Sequence, residues 1–116
     1  MELQWIKCPG DEWCPLDIVN LDDPFFDNLE GVYIIWHGGD PASTIIVGQG
    51  NIREKLTAHR NDSRIYTYNL LGVFVTWASV PEAYRDGIEV YLAQKLNPEL
   101  GERLPNLTPI EVNLPW

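Results

Sequence analysis

Two short triplets, Gly31-Val32-Tyr33 and Ile46-Val47-Gly48, each sit inside an apolar run, and the charged segment Asn51-Ile52-Arg53-Glu54-Lys55-Leu56 follows them. Two strands leading into a helix that carries cations can hold a phosphate over a sheet. The cations are concentrated where such an arrangement needs them. Arg53, Lys55, Arg60 and Arg64 fall within one 12-residue window and make up half of the 8 basic residues. His59 lies one helical turn beyond Lys55. Its imidazole suits proton transfer or a phosphate contact, and equally suits simple packing at the edge of a sheet.

For these residues to meet, the surrounding elements must take a particular form. Val32-Tyr33-Ile34-Ile35-Trp36 is a β-branched and aromatic run, Gly38-Gly39-Asp40-Pro41 is a turn signal, and Thr44-Ile45-Ile46-Val47 is a second strand-like run. Together they predict an antiparallel hairpin with a longish connection. Its strands lack polar alternation, so both faces should be covered. Asn51 is placed to cap a helix over about residues 52–61, with Glu54 in capping-box position. At 100° per residue, Ile52, Leu56 and His59 share one arc with Lys55 at its edge, while Arg53, Thr57 and Arg60 share a neighbouring face. Val73-Phe74-Val75-Thr76-Trp77 reads as a third strand, and a second helix should run from Pro81 to about Leu96. Tyr84, Ile88, Leu92 and Leu96 form its expected core stripe, with Glu89 beside it. Near the end, Ile110-Glu111-Val112 suggests a final edge strand.

The chain has 116 residues and 45% hydrophobic content, enough for one domain with one core. Disorder is excluded by 5 Trp, 5 Tyr and 3 Phe. The expected class is α+β: a single small domain with a central, mostly antiparallel sheet of about three to five strands flanked by two to three helices. The net charge of −9 is uneven, because residues 1–30 hold eight acids and one base. Nonspecific nucleic-acid affinity comes largely from Lys and Arg, so the acidity matters less once it is assigned to this segment. Residues 1–30 are read as an acidic N-terminal extension packed on a domain formed by residues 31–116. Proline punctuates the extension, and Leu3-Gln4-Trp5-Ile6 and Leu16-Asp17-Ile18-Val19 are its candidate short strands. Cys8 and Cys14 lack zinc-knuckle spacing and are read as ordinary thiols, without metal. No apolar run reaches the ~20 residues of a membrane span, and no signal-peptide pattern opens the chain. A cytoplasmic protein is expected.

The order of these pieces resembles the GIY-YIG nuclease superfamily over roughly residues 31–100: a strand with Gly-Val-Tyr, a strand ending in Val-Gly, a basic helix, a strand, and a helix carrying Glu89 nine residues before Pro98. The resemblance implies metal-dependent endonucleolytic hydrolysis of nucleic-acid phosphodiesters, with DNA as the expected substrate and RNA as the alternative. It implies catalytic roles for Tyr33, Lys55 and Glu89, with Glu89 binding one Mg²⁺ or Mn²⁺ ion, and His59, one turn beyond Lys55, is placed to join them as a proton carrier. Gly48, Arg53 and Arg60 would contact substrate. Each has a plainer role open to it: a core tyrosine for Tyr33, a turn glycine for Gly48, a solvated carboxylate for Glu89. Three positions depart from the family pattern. Ile46 stands for its second tyrosine, Lys55 for its arginine, and Gly101 for an asparagine, with Asn97 and Asn106 displaced. Lysine keeps the charge but loses the bidentate fork. A catalytically lapsed module that binds nucleic acid, or a protein through the acidic N-terminal segment, is therefore the alternative function.

Overall fold

The structure, a computed structural model, describes residues 1–101, 104 and 106–116. The β-branched runs form the strands and the capped or proline-led stretches form the helices. In chain order the elements are β1 (Cys14–Pro15), β2 (Glu30–His37), β3 (Ser43–Asn51), α1 (Ile52–Arg60), α2 (Ser63–Tyr66), β4 (Val73–Ser79) and α3 (Glu82–Leu96). Among the described residues the sheet has four antiparallel strands in the order β1-β4-β2-β3. The α+β class expected from sequence is the class observed.

Both faces of the sheet are covered, as the absence of polar alternation in β2 required. From Gly31 to His37 every residue of β2 is buried. Alternate residues feed two separate cores. Tyr33 and Ile35 pack with Ile52 and Leu56 of α1, with Trp77, and with Leu16, Leu21 and Phe26 of the N-terminal segment. Val32, Ile34 and Trp36 pack on the other face with Ile88 and Leu92 of α3 and with Val112.

The N-terminal segment belongs to the fold more closely than an appended extension would. It crosses the β4 edge of the sheet: Leu3 and Trp5 pack into the α3-side core, Ile6 and Cys8 into the α1-side core. At the crossing, the Ile6 amide donates to the Trp77 carbonyl (3.0 Å), and Thr76 Oγ1 donates to the Ile6 carbonyl (2.8 Å). The opposite edge is crossed after α3, where the amides of Glu99 and Leu100 donate to the carbonyls of Thr44 (3.0 Å) and Ile45 (2.8 Å) in β3.

Several sequence expectations are corrected. Cys8 and Cys14 are joined in a disulfide rather than free. The turn between them explains the meeting: Gly10 and Asp11 take positive φ (84° and 58°), folding the chain so that the Cys8 amide donates to the Glu12 carbonyl at 2.8 Å. Residues 3–6 are not a strand, and residues 16–19 form a turn following the two-residue β1. Ile110-Glu111-Val112 adds no strand to the sheet. It lies across α3, where the Ile110 amide donates to the Gly87 carbonyl (2.9 Å), and a Cβ on Gly87 would stand 2.6 Å from Ile110 side-chain atoms. Tyr84 is 44% exposed, so the α3 stripe begins at Ile88.

Candidate functional site

The β2–β3 register sets Tyr33 directly opposite Gly48. Opposed residues in an antiparallel pair project to the same face, so the phenol ring lies across the place where residue 48 would carry a side chain. A Cβ built on Gly48 collides with Tyr33 Oη and Cζ. Gly48 is therefore explained by the tyrosine beside it: it makes room for the ring.

With that space open, the buried Tyr33 reaches α1. Its Oη lies 2.6 Å from His59 Nε2, and the two rings are 5.4 Å apart at 54°. The helix that presents His59 begins where expected. Asn51 Oδ1 accepts the Glu54 amide hydrogen at 3.0 Å, satisfying one of the amides that a helix start leaves unpaired. One turn earlier on α1, the exposed Lys55 lies over Gly50: a Cβ there would be 3.1 Å from Lys55 Cε. Gly50 also holds φ at 129°, a conformation open to glycine and strained for other residues. Tyr33, Gly48, Gly50, Lys55 and His59 thus form one cluster where β2, β3 and α1 meet.

Arg53 and Arg60 take a different part. Arg53 donates to the carbonyls of Leu21 (2.7 Å) and Asp23 (2.8 Å) and pairs with Asp27 at 2.8 Å. Arg60 donates twice to the Leu16 carbonyl (3.0 and 2.6 Å) and once to that of Val19 (2.6 Å). Both guanidinium forks are occupied in fastening the N-terminal segment to α1. The cationic shoulder of the helix is a clamp for this chain's own backbone, and Lys55 is the cation of α1 that stands outside it. Arg64 is paired with Asp62, whose carboxylate caps α2. The Arg64 side-chain hydrogen bond, helped by its amide, holds the Asp62 pKa down at about 2.

Glu89 lies on α3, across the sheet from Tyr33. Its height along β3 follows from two contacts. Asp86 Oδ1 accepts from Gln49 Nε2 at 3.0 Å, and the amide just beyond the far end of α3, that of Glu99, reaches the Thr44 carbonyl. The helix thus runs antiparallel to the strand. Three residues of helix advance about 4.5 Å, and a strand residue spans about 3.3 Å. Glu89 therefore stands level with Val47 and Gly48, half-buried, on the face opposite the tyrosine.

Features with no sequence signal accompany this cluster. Gly50 under Lys55 was not singled out by any motif. At the other end of β2, the buried His37 accepts the Gly39 amide hydrogen at Nδ1 (3.1 Å), which leaves the proton on Nε2 to face Glu99 Oε2 (3.1 Å). Its ring stacks on Tyr68 at 5.1 Å and 6°. No group of three or more His, Cys, Asp or Glu able to hold a metal occurs among the described residues, and no helix among them is long and apolar enough to cross a membrane. No family model, no curated protein and no solved structure matches the chain.

Proposed function

We propose that this chain is a divergent nuclease of the GIY-YIG type that hydrolyses nucleic-acid phosphodiester bonds, DNA first and RNA as the alternative. The observation that carries this reading is the 2.6 Å contact between Tyr33 Oη and His59 Nε2, made over Gly48. A phenol with a pKa near ~10 is a poor base by itself at neutral pH. A hydrogen-bonded imidazole supplies what it lacks. As a water attacks phosphorus, its proton passes to Tyr33 Oη while the phenol proton passes to His59 Nε2; the P–O bond to the leaving sugar oxygen breaks, and that oxygen takes a proton from solvent. Lys55, exposed and outside the N-terminal clamp, faces the charge that develops on the phosphate oxygens.

Glu89 is the residue that would hold Mg²⁺ or Mn²⁺. Its fit rests on donor chemistry: a hard carboxylate on a rigid helix, where magnesium commonly takes one or two carboxylates and completes its shell with water and phosphate oxygens. Because α3 lies on the sheet face opposite Tyr33, an ion held by Glu89 would offset charge elsewhere on a bound nucleic acid and not at the phosphate that faces Tyr33 and Lys55.

The test is incubation of the purified full-length protein with supercoiled, branched and single-stranded DNA and with RNA, in Mg²⁺ and in Mn²⁺. Cleavage should fall by about 10²–10³ in Tyr33→Phe and by a similar factor in Lys55→Ala, and should fall less in Glu89→Ala, which lies on the other face of the sheet. Lys55→Ala should leave stability within about 0.5 kcal/mol of the parent, since the side chain is exposed. Cleavage that survives unchanged in all three variants would come from a contaminant and would end this reading.

A second reading, a lapsed module that binds nucleic acid or a protein, is favoured by one specific observation. The forks of Arg53 and Arg60 already grip the N-terminal segment, so a single lysine is left where a bidentate cation would serve phosphate best. Binding of DNA without turnover, weakened by Lys55→Ala, is the outcome that would select it. Capture of a protein partner through the acidic segment, with no nucleic-acid binding, would select its other form. Cytoplasmic action, expected from sequence, is the part that the Cys8–Cys14 disulfide weighs against, because disulfides persist in oxidising compartments. The alkylation state of both cysteines in freshly lysed cells decides it.

A further inference from the structure

On the α3 face of the sheet, at the Ser43 end of β3, lies an open pocket of about 500 Å³, within the ~300–1,000 Å³ range of small-molecule sites. Its walls include Trp13, Trp36 and Trp116, with Ser43, Thr44 and Lys95. None of Tyr33, Lys55, His59 or Glu89 lines it. The three indoles stand steeply to one another: Trp13 meets Trp36 at 88° and Trp116 at 89°, and Trp36 meets Trp116 at 64°. Trp36 is buried and stacks on Phe74 at 5.9 Å, which makes it a fixed wall. Trp116 is 57% exposed, so part of its ring is open to a partner.

The chemistry of the walls narrows what that partner is. Flat aromatic rings take flat ligands by stacking, and such stacking accepts any nucleobase. Lys95 is exposed and has neither an acidic partner nor a hydrogen bond among the described residues; its ammonium lies 5.7 Å from the Tyr91 ring. Among those residues only Lys55 shares this condition, because Lys7, Arg64 and Arg85 are ion-paired and Arg53 and Arg60 hold the N-terminal segment. An uncommitted ammonium beside the rings favours an anion. It opposes a quaternary ammonium, which aromatic enclosures otherwise attract. No Asp, Glu, Asn or Gln among the described residues lines the pocket, so it lacks planar polar side chains to hold the hydroxyls of a sugar. A flat ring joined to an anion is a nucleotide. Bases within a duplex already stack on their neighbours, so the base that enters must be unpaired.

We propose that this pocket binds an unpaired nucleotide of a single-stranded nucleic acid, its base stacked on Trp116 and its phosphate at Lys95. Trp13 and Trp36 support the platform from behind. The pocket lies on the sheet face opposite Tyr33 and shares no residue with that cluster. Binding here needs no turnover and is independent of the nuclease reading.

The test uses the full-length protein in EDTA, where metal-dependent cleavage is silent and only binding is read. Three fluorescein-labelled probes are titrated and followed by anisotropy: octathymidylate, an abasic oligomer of the same length, and a blunt mixed-sequence DNA duplex. Trp116→Ala should weaken octathymidylate about 5- to 100-fold, the worth of one stacked base, and leave the abasic strand and the duplex unchanged. Lys95→Ala should weaken both single strands and lower the slope of log affinity against log salt by about 0.7, the share of one phosphate contact. Both side chains are exposed, so each variant should keep the thermal midpoint of the parent. The proposal is overturned if Trp116→Ala binds octathymidylate as the parent does, or weakens all three probes alike. Quenching of tryptophan fluorescence by cellohexaose or by choline, with none by octathymidylate, would assign the pocket to a sugar or a cation and overturn it as well.

Discussion

The two faces of the sheet are built from the same strands and yet hold their helices by different means. On the α3 side the contacts are mainly apolar, with Val32, Ile34 and Trp36 against Ile88 and Leu92. Three tryptophans extend that core, with Trp13, Trp36 and Trp116 meeting at centroid distances of 5.0 to 6.2 Å. On the α1 side an apolar core is overlaid by polar fastenings: two arginines on backbone carbonyls, a disulfide, and Tyr33 on His59. Apolar packing is non-directional, whereas hydrogen bonds fix distances and angles. The face that carries the Tyr33–His59 contact is also the one clamped by two arginines and a disulfide.

The largest expected effects test whether the two cores are equally necessary beneath that difference. Leu56 and Leu92 are both fully buried, one on each face. Leu56→Ala and Leu92→Ala should each cost about 2–5 kcal/mol, seen as a fall of roughly 10–20 °C in the thermal midpoint. A much smaller loss on one side would show that its polar fastenings carry that face. Gly48→Ala comes next, at about 1–3 kcal/mol for the crowding it forces. Because the added methyl meets Tyr33 itself, the variant should also separate the tyrosine from His59, and the His59 ring resonances would report it. An equal methyl on the α3 face would leave those resonances alone.

Arg60→Ala should cost about 1–3 kcal/mol, because it leaves the carbonyls of Leu16 and Val19 without their donor. Its signature is local: faster amide exchange in residues 16–21, with α3 unchanged. The smallest effect is on pH. Asp62 has a folded-state pKa of about 2, below its ordinary 3.8, because Arg64 donates to it. A depressed carboxylate contributes its full share of stability above about pH 4 and loses it as pH falls through 2. Acid unfolding should therefore steepen slightly below pH 4. Asp62→Asn should remove that increment, lowering stability slightly and evenly across pH 5–8 and leaving the parent and the variant alike only near pH 2 and below.

Much of this architecture was legible in the sequence because the signals were local. The β-branched runs, the Asn51 cap and Pro81 each act within a few residues, and the helices and strands began close to where they were expected. The site was legible in part for the same reason: Tyr33, Lys55 and His59 converge because two strands and a helix follow one another directly. What escaped was set by distant partners. Nothing near Arg53 or Arg60 announces that their donors belong to carbonyls 30 to 44 residues earlier. The six-residue separation of Cys8 and Cys14 says nothing of the left-handed residues that fold them together. Ile110-Glu111-Val112 has strand composition, yet with the sheet edges already crossed by other segments it settled on α3 at Gly87.

Those crossings bear on how the protein behaves in a crowded solution. An open strand edge is a template on which another molecule can add a strand, and the β2–β3 hairpin holds long apolar runs of the kind that such addition favours. Here the carbonyls of Thr44 and Ile45 already take hydrogens from Glu99 and Leu100 of the same chain, and the β4 edge is met by Ile6. Growth of aggregates from this hairpin then waits on the lifting of a two-residue contact after α3, not on unfolding of the domain. Its rate should follow the local opening free energy of that contact, so a variant can become sticky while its melting temperature hardly moves.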